Sequence, residues 1–122
     1  DCWEHFVDHE PFGAGWHQFA SLSSPALSWF AALYTPGRLT AGFDVWLQSC
    51  RFDGNHRHLR AKVRSSGPAG REFTVLACMN PDARYQVEWN GKPVEFSVRH
   101  DALLQINLPR EPGPGELRVT PR

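Results

Sequence analysis

The chain has 122 residues, enough for one ordinary domain whose core needs no disulfide or metal staple. Thirteen basic residues balance thirteen acidic ones without any run of like charge, so the footprint of a nucleic-acid or anionic-membrane binder is missing and polyanions are not expected as partners. Cys2, Cys50 and Cys78, odd in number and far apart, read as reduced or buried thiols rather than a disulfide framework or zinc site. With no apolar run of about 18 residues and no signal-peptide pattern, the expectation is a soluble protein, cytoplasmic by preference.

The chain opens on Asp1 rather than Met, which suggests a processed product or an excised or incomplete piece. Residues 1–19 are aperiodic and dense in functional residue types: Trp3, Glu4, His5, Asp8, His9, Glu10, Trp16 and His17, broken by Gly13 and Gly15. Carboxylates beside aromatic rings suit a sugar site, because rings stack on the apolar faces of pyranoses while carboxylates bind hydroxyls or move protons. Packing of the same rings under the following helix is the competing explanation. Ser24 offers an N-cap and Pro25 a first helical residue, so residues 26–34 are expected to be helical until Thr35-Pro36-Gly37. That helix, from Ala26 and Leu27 to Leu33 and Tyr34, has only Ser28 as a polar position. A helix apolar all round must be covered on every side. It is therefore expected to pack on protein beyond this chain, a partner subunit or the rest of a longer polypeptide.

From Leu39 onward the pattern has period two. Residues 39–47 read as one strand. Leu59, Ala61 and Val63 alternate with Arg60, Lys62 and Arg64, and Tyr85, Val87 and Trp89 alternate with Gln86 and Glu88. Residues 73–79 are apolar on both faces, which marks a central strand. Asn90-Gly91 predicts a two-residue type I′ hairpin, whose returning strand carries Val94, Phe96 and Val98 on one face and starts at an edge because of Pro93. Residues 103–108 and 116–120 complete the set. The expected fold class is mainly β: an antiparallel sandwich of about seven strands over residues 38–122, preceded by an irregular loop and one buried apolar helix over residues 1–37.

Trp3-Glu4-His5-Phe6, the acidic, glycine-containing loop after it, then Trp16-His17-Gln18-Phe19 and a small-residue apolar helix resemble the last turn of an (α/α)6-barrel glycoside hydrolase of the trehalase and processing α-glucosidase type. The segment from Tyr85 to Val94 is similar to the β-sandwich tails of such enzymes. The resemblance implies that Glu4 is the general base of an inverting mechanism and that Trp3, His5, Phe6, Trp16 and His17 line the glycone pocket, with no cofactor. Inversion also needs an acid across a water-sized gap. Asp8 and Glu10 are too near Glu4 in sequence for that role, and in the family the acid comes from an earlier barrel loop. The chain alone is accordingly not expected to be active.

Two other functions stay open: a non-catalytic carbohydrate-binding or interaction module, and a small subunit stabilising a larger catalytic chain. Six histidines raise a metal reading, with His56-Arg57-His58 as an H-x-H pair, but the glutamate that follows such a pair in cupin-like barrels is missing and a polar turn leading into a strand fits better. Among Trp46, Phe52, Phe73, Tyr85, Trp89 and Phe96, alternation assigns most to the core, with Trp46 and Trp89 the two whose exposure decides whether the sandwich offers rings to a glycan.

Overall fold

The computed structural model describes residues 5–6, 13–14, 33–42, 44–100 and 102–122. The chain divides into two compact units, residues 1–32 and residues 33–122. The first contains a two-stranded antiparallel ladder, β1 (His5–Phe6) and β2 (Gly13–Ala14), which pairs His5 with Ala14 and Phe6 with Gly13. Strands this short show no periodicity, and the sequence reads there only as an irregular loop.

The second unit is mainly β. Its strands are β3 (Leu39–Ala41), β4 (Val45–Asp53), β5 (His58–Ser65), β6 (Glu72–Cys78), β7 (Tyr85–Trp89), β8 (Lys92–Pro93), β9 (Phe96–Arg99), β10 (Leu103–Pro109) and β11 (Gly115–Pro121). They form a four-stranded sheet in the order β3-β6-β10-β9 and a five-stranded sheet in the order β4-β5-β11-β7-β8, antiparallel throughout. One core lies between them. Phe73, Val75 and Ala77 of β6 with Leu104, Ile106 and Leu108 of β10 come from one sheet; Leu59, Ala61 and Val63 of β5 with Val87, Leu117 and Val119 come from the other. Each fully buried aliphatic side chain among them contributes about 1.5–3 kcal/mol, so the alternation read from the sequence is what holds the two sheets together.

The hairpin forms as expected, with positive φ at Asn90 and Gly91 and Lys92 returning against Trp89. Two expected strands are each divided. Residues 39–47 supply β3 to one sheet and begin β4 in the other, so the strand read as continuous is divided between Ala41 and Val45. Beyond Pro93 the returning strand does not continue: Val94 makes one more bond to the Val87 carbonyl, and β9 then pairs with β10 in the opposite sheet. A strand that changes sheets keeps its period-two pattern, because both sheets present a face to the same core. Within β4 the register slips between Leu47 and Ser49. The extra residue at this bulge shifts the core-side face of this edge strand from Val45 and Leu47 to Cys50 and Phe52, with Leu47 and Cys50 still exposed.

β6 lies between β3 and β10, as its two apolar faces suggest. Its outward Cys78 is buried with Leu103 and with Leu33, a residue near the end of the expected helix, so Leu33 is covered by this chain's own sheet. Residues 26–32 lie outside the described residues. Tyr34 is exposed and meets His100 edge-on with ring centroids 6.3 Å apart.

The buried Tyr85 hydroxyl accepts the Asn80 amide at 3.1 Å and donates to the Asn80 carbonyl at 3.0 Å, closing the loop before β7. Both backbone groups lose their partner if the hydroxyl is removed. Tyr85→Phe is therefore expected to destabilise the sandwich by about 1–3 kcal/mol, read as a lower urea midpoint at unchanged slope.

Candidate functional site

The N-terminal motif and the glycine loop are brought together at the backbone. β1 lies within Trp3-Glu4-His5-Phe6 and β2 within Gly13-Ala14-Gly15, so hydrogen bonds join the segment carrying the expected base to the segment leading into Trp16-His17. Of the expected site residues, His5 and Phe6 are placed in β1, whereas Trp3, Glu4, Trp16 and His17 lie outside the described residues.

Within the sandwich the aromatic residues separate clearly. Phe73, Tyr85 and Trp89 are buried, and Phe73 packs edge-on against Trp89 at 5.9 Å. Phe52 and Phe96 are half-buried. Trp46 is 49% exposed, on the outer face of β4, with the Arg64 guanidinium 5.6 Å from its ring centroid. Trp89, the other ring in question, is core.

On the outer face of the four-stranded sheet, polar side chains of adjacent strands line an open groove of about 400 Å³, formed by Glu72, Glu95, Ser97, Gln105 and Asn107 with an edge of Phe96. Thr74 donates to Asn107 Oδ1 at 2.8 Å and Arg99 to Gln105 Oε1 at 3.1 Å. These bonds fix both carboxamides by their oxygens and leave their NH2 groups as donors beside two carboxylate acceptors. That set can hydrogen-bond a hydroxylated ligand, although no exposed ring stands ready to stack on it. The sequence signal was the alternation of Glu72 with Thr74, Glu95 with Ser97 and Gln105 with Asn107. It is indistinguishable from an ordinary wet strand face until the register aligns the three strands.

The histidine pair forms the polar turn expected. Asp53 accepts the amides of Asn55 and His56 and bonds His56 Nδ1 at 2.7 Å, Arg57 takes positive φ, and His58 begins β5. Among the described residues no group of three or more His, Cys, Asp or Glu is arranged to hold a metal. Cys50 is an exposed free thiol and Cys78 a buried one; desolvation pushes the pKa of both up, which lowers their nucleophilicity. No helix among the described residues is long and apolar enough to cross a membrane.

Three carboxylates are held below their ordinary range by side-chain hydrogen bonds: Asp44 by Arg110, Asp53 by His56, and Glu116 by Arg118. Each binds a proton more weakly folded than unfolded. Their contribution is therefore complete above the ordinary values, 3.8 for the two aspartates and 4.5 for Glu116, and is lost as pH falls through and below them. The melting temperature is expected to stay level from about pH 7 to pH 5 and to drop below about pH 4, and Asp44→Asn is expected to make that drop shallower.

No protein-family model and no curated protein sequence matches the chain.

Proposed function

We propose that the chain is the C-terminal portion, or a small subunit, of a carbohydrate-active enzyme of inverting glycoside hydrolase type. In this reading Glu4 is the general base, and Trp3, His5, Phe6, Trp16 and His17 contact the sugar. A larger catalytic chain or domain supplies the acid and packs on the apolar segment of residues 26–34. The sandwich is a structural appendage, and no cofactor takes part. The observation that carries the reading is the β1–β2 ladder, which ties the Trp3-Glu4-His5-Phe6 segment to the glycine loop before Trp16-His17, as a pocket built from both segments requires. The test is hydrolysis of trehalose and other α-glucosides by the assembled enzyme with and without Glu4→Gln; unchanged turnover removes Glu4 from the mechanism.

A second reading, a non-catalytic carbohydrate-binding sandwich, is favoured by the groove of Glu72, Glu95, Ser97, Gln105 and Asn107. Binding of a neutral glycan by residues 33–122 that is lost in Asn107→Ala would support it over the first.

A further inference from the structure

The outer face of the five-stranded sheet arranges charge against its own stability. Arg60, Lys62 and Arg64 are exposed along β5 at the two-residue repeat that keeps them on one face. The register sets Arg51 of β4 and Arg118 of β11 on either side of Arg60. Neighbouring strands are about 4.8 Å apart, so three guanidinium-bearing positions stand in a row about 10 Å long. Like charges directly opposite one another destabilise an antiparallel pair.

Acids offset part of this charge: Glu116 stands opposite Lys62 and Glu88 opposite Arg118. Arg118 is paired with Glu116 at 2.8 Å, and Asp53 is engaged by His56. Arg51, Arg60 and Lys62 make no ion pair or side-chain hydrogen bond among the described residues. Two shallow depressions of about 240 and 230 Å³ share Arg51 and Arg60 as walls; one continues to Ser49 and Lys62 with Glu116 at its edge, the other to His58 with Asp53. At the far end of the basic line, beside Arg64, stands Trp46, the exposed tryptophan. The balanced net charge of the chain conceals this face, because total charge carries no information about which side of a strand each residue occupies.

We propose that this face binds an acidic polysaccharide, with Arg51, Arg60 and Lys62 on its carboxylate or sulfate groups and the Trp46 ring against a sugar. Arginine pairs planar anions bidentately, and an aromatic ring beside cations suits a ligand that offers both charge and an apolar ring face. A nucleic acid fits less well, since single strands are held by several rings on which successive bases stack, and among the described residues Trp46 is the exposed large aromatic side chain on this face. The surface belongs to the second unit alone and goes beyond the proposed hydrolase role: its failure leaves Glu4 untouched, and loss of the Glu4 mechanism leaves this surface standing.

The experiment is affinity gel electrophoresis of the full chain in polygalacturonate, chondroitin sulfate and neutral dextran, with oligo(dT) as competitor. Retardation is expected in at least one of the two acidic polysaccharides and not in dextran, and it should weaken as salt rises from about 50 to about 300 mM. Which of the two retards the chain identifies carboxylate or sulfate as the anion. Arg60→Glu and Lys62→Glu should each weaken binding about tenfold or more. In Arg60→Glu the melting temperature should hold or rise, since the new carboxylate faces Arg51 and Arg118. Migration unaffected by either acidic polysaccharide, equal retardation in dextran, tighter binding to oligo(dT), or full binding by Arg60→Glu would overturn the proposal.

Discussion

Gly115→Ala is expected to destabilise the sandwich by about 3 kcal/mol, one of the largest losses available from adding a single methyl group to this chain. Gly115 is buried at the start of β11, paired with Val63, and the six-membered ring of Trp89 lies directly over its Cα. A Cβ there would fall inside the van der Waals shell of that ring. The ring cannot swing away freely, because Phe73 packs edge-on against it and the whole side chain is 4% exposed. Backbone φ at Gly115 is not in the left-handed region, so the penalty is steric. Alanine also restricts the unfolded chain, a gain of about 0.4–1 kcal/mol, which is smaller than the clash and does not reverse the sign. For a sandwich of this size the net loss corresponds to a melting temperature lower by about 10 °C or more. A double-mutant cycle checks the cause. Gly115→Ala should cost markedly less in a Trp89→Leu background, since the clash is with the ring, and equal costs in both backgrounds would refute the steric explanation.

If Glu4 is the general base proposed above, Glu4→Gln lowers kcat of the assembled enzyme by about two to four orders of magnitude while KM changes little. Glutamine has the shape of glutamate and can still hydrogen-bond a sugar hydroxyl or a water, but it cannot take the proton from the attacking water. Only the interaction made in the transition state is removed, and that appears in kcat. A residue that merely held the segment in place would behave differently: its loss would raise KM, lower thermal stability, or both. The same comparison on Trp3→Ala should show the opposite split, a raised KM with a smaller change in kcat, because ring stacking is present in ground state and transition state alike.

The hairpin at Asn90-Gly91, the limits of β7 and the inward residues of β5, β6, β10 and β11 are all legible in the amino-acid sequence, because each is set by local chemistry: positive φ at two adjacent residues, or strict alternation between water and core. What alternation cannot reveal is which sheet a strand joins. β3 and β4, and likewise β8 and β9, read as continuous strands because opposite sheets present apolar faces to one core, and only strand pairing distinguishes them. The bulge after Leu47 has the same effect on a smaller scale. By moving the inward parity from odd to even positions, it hides the second half of β4 from a period-two reading.

For function the division falls elsewhere. The aromatic and acidic character of residues 1–19 is a property of the sequence and needs no coordinates. The ladder between His5–Phe6 and Gly13–Ala14, the groove across β6, β10 and β9, and the arginine row of Arg51, Arg60 and Arg118 each join residues far apart in the chain through backbone pairing. The order of apolar and polar residues by itself determined that this chain would be a sandwich with an apolar core, and composition that its charge would balance. Only register decided that the charge would be sorted onto one face, because which side chains stand side by side depends on which residue of one strand lies opposite which residue of the next.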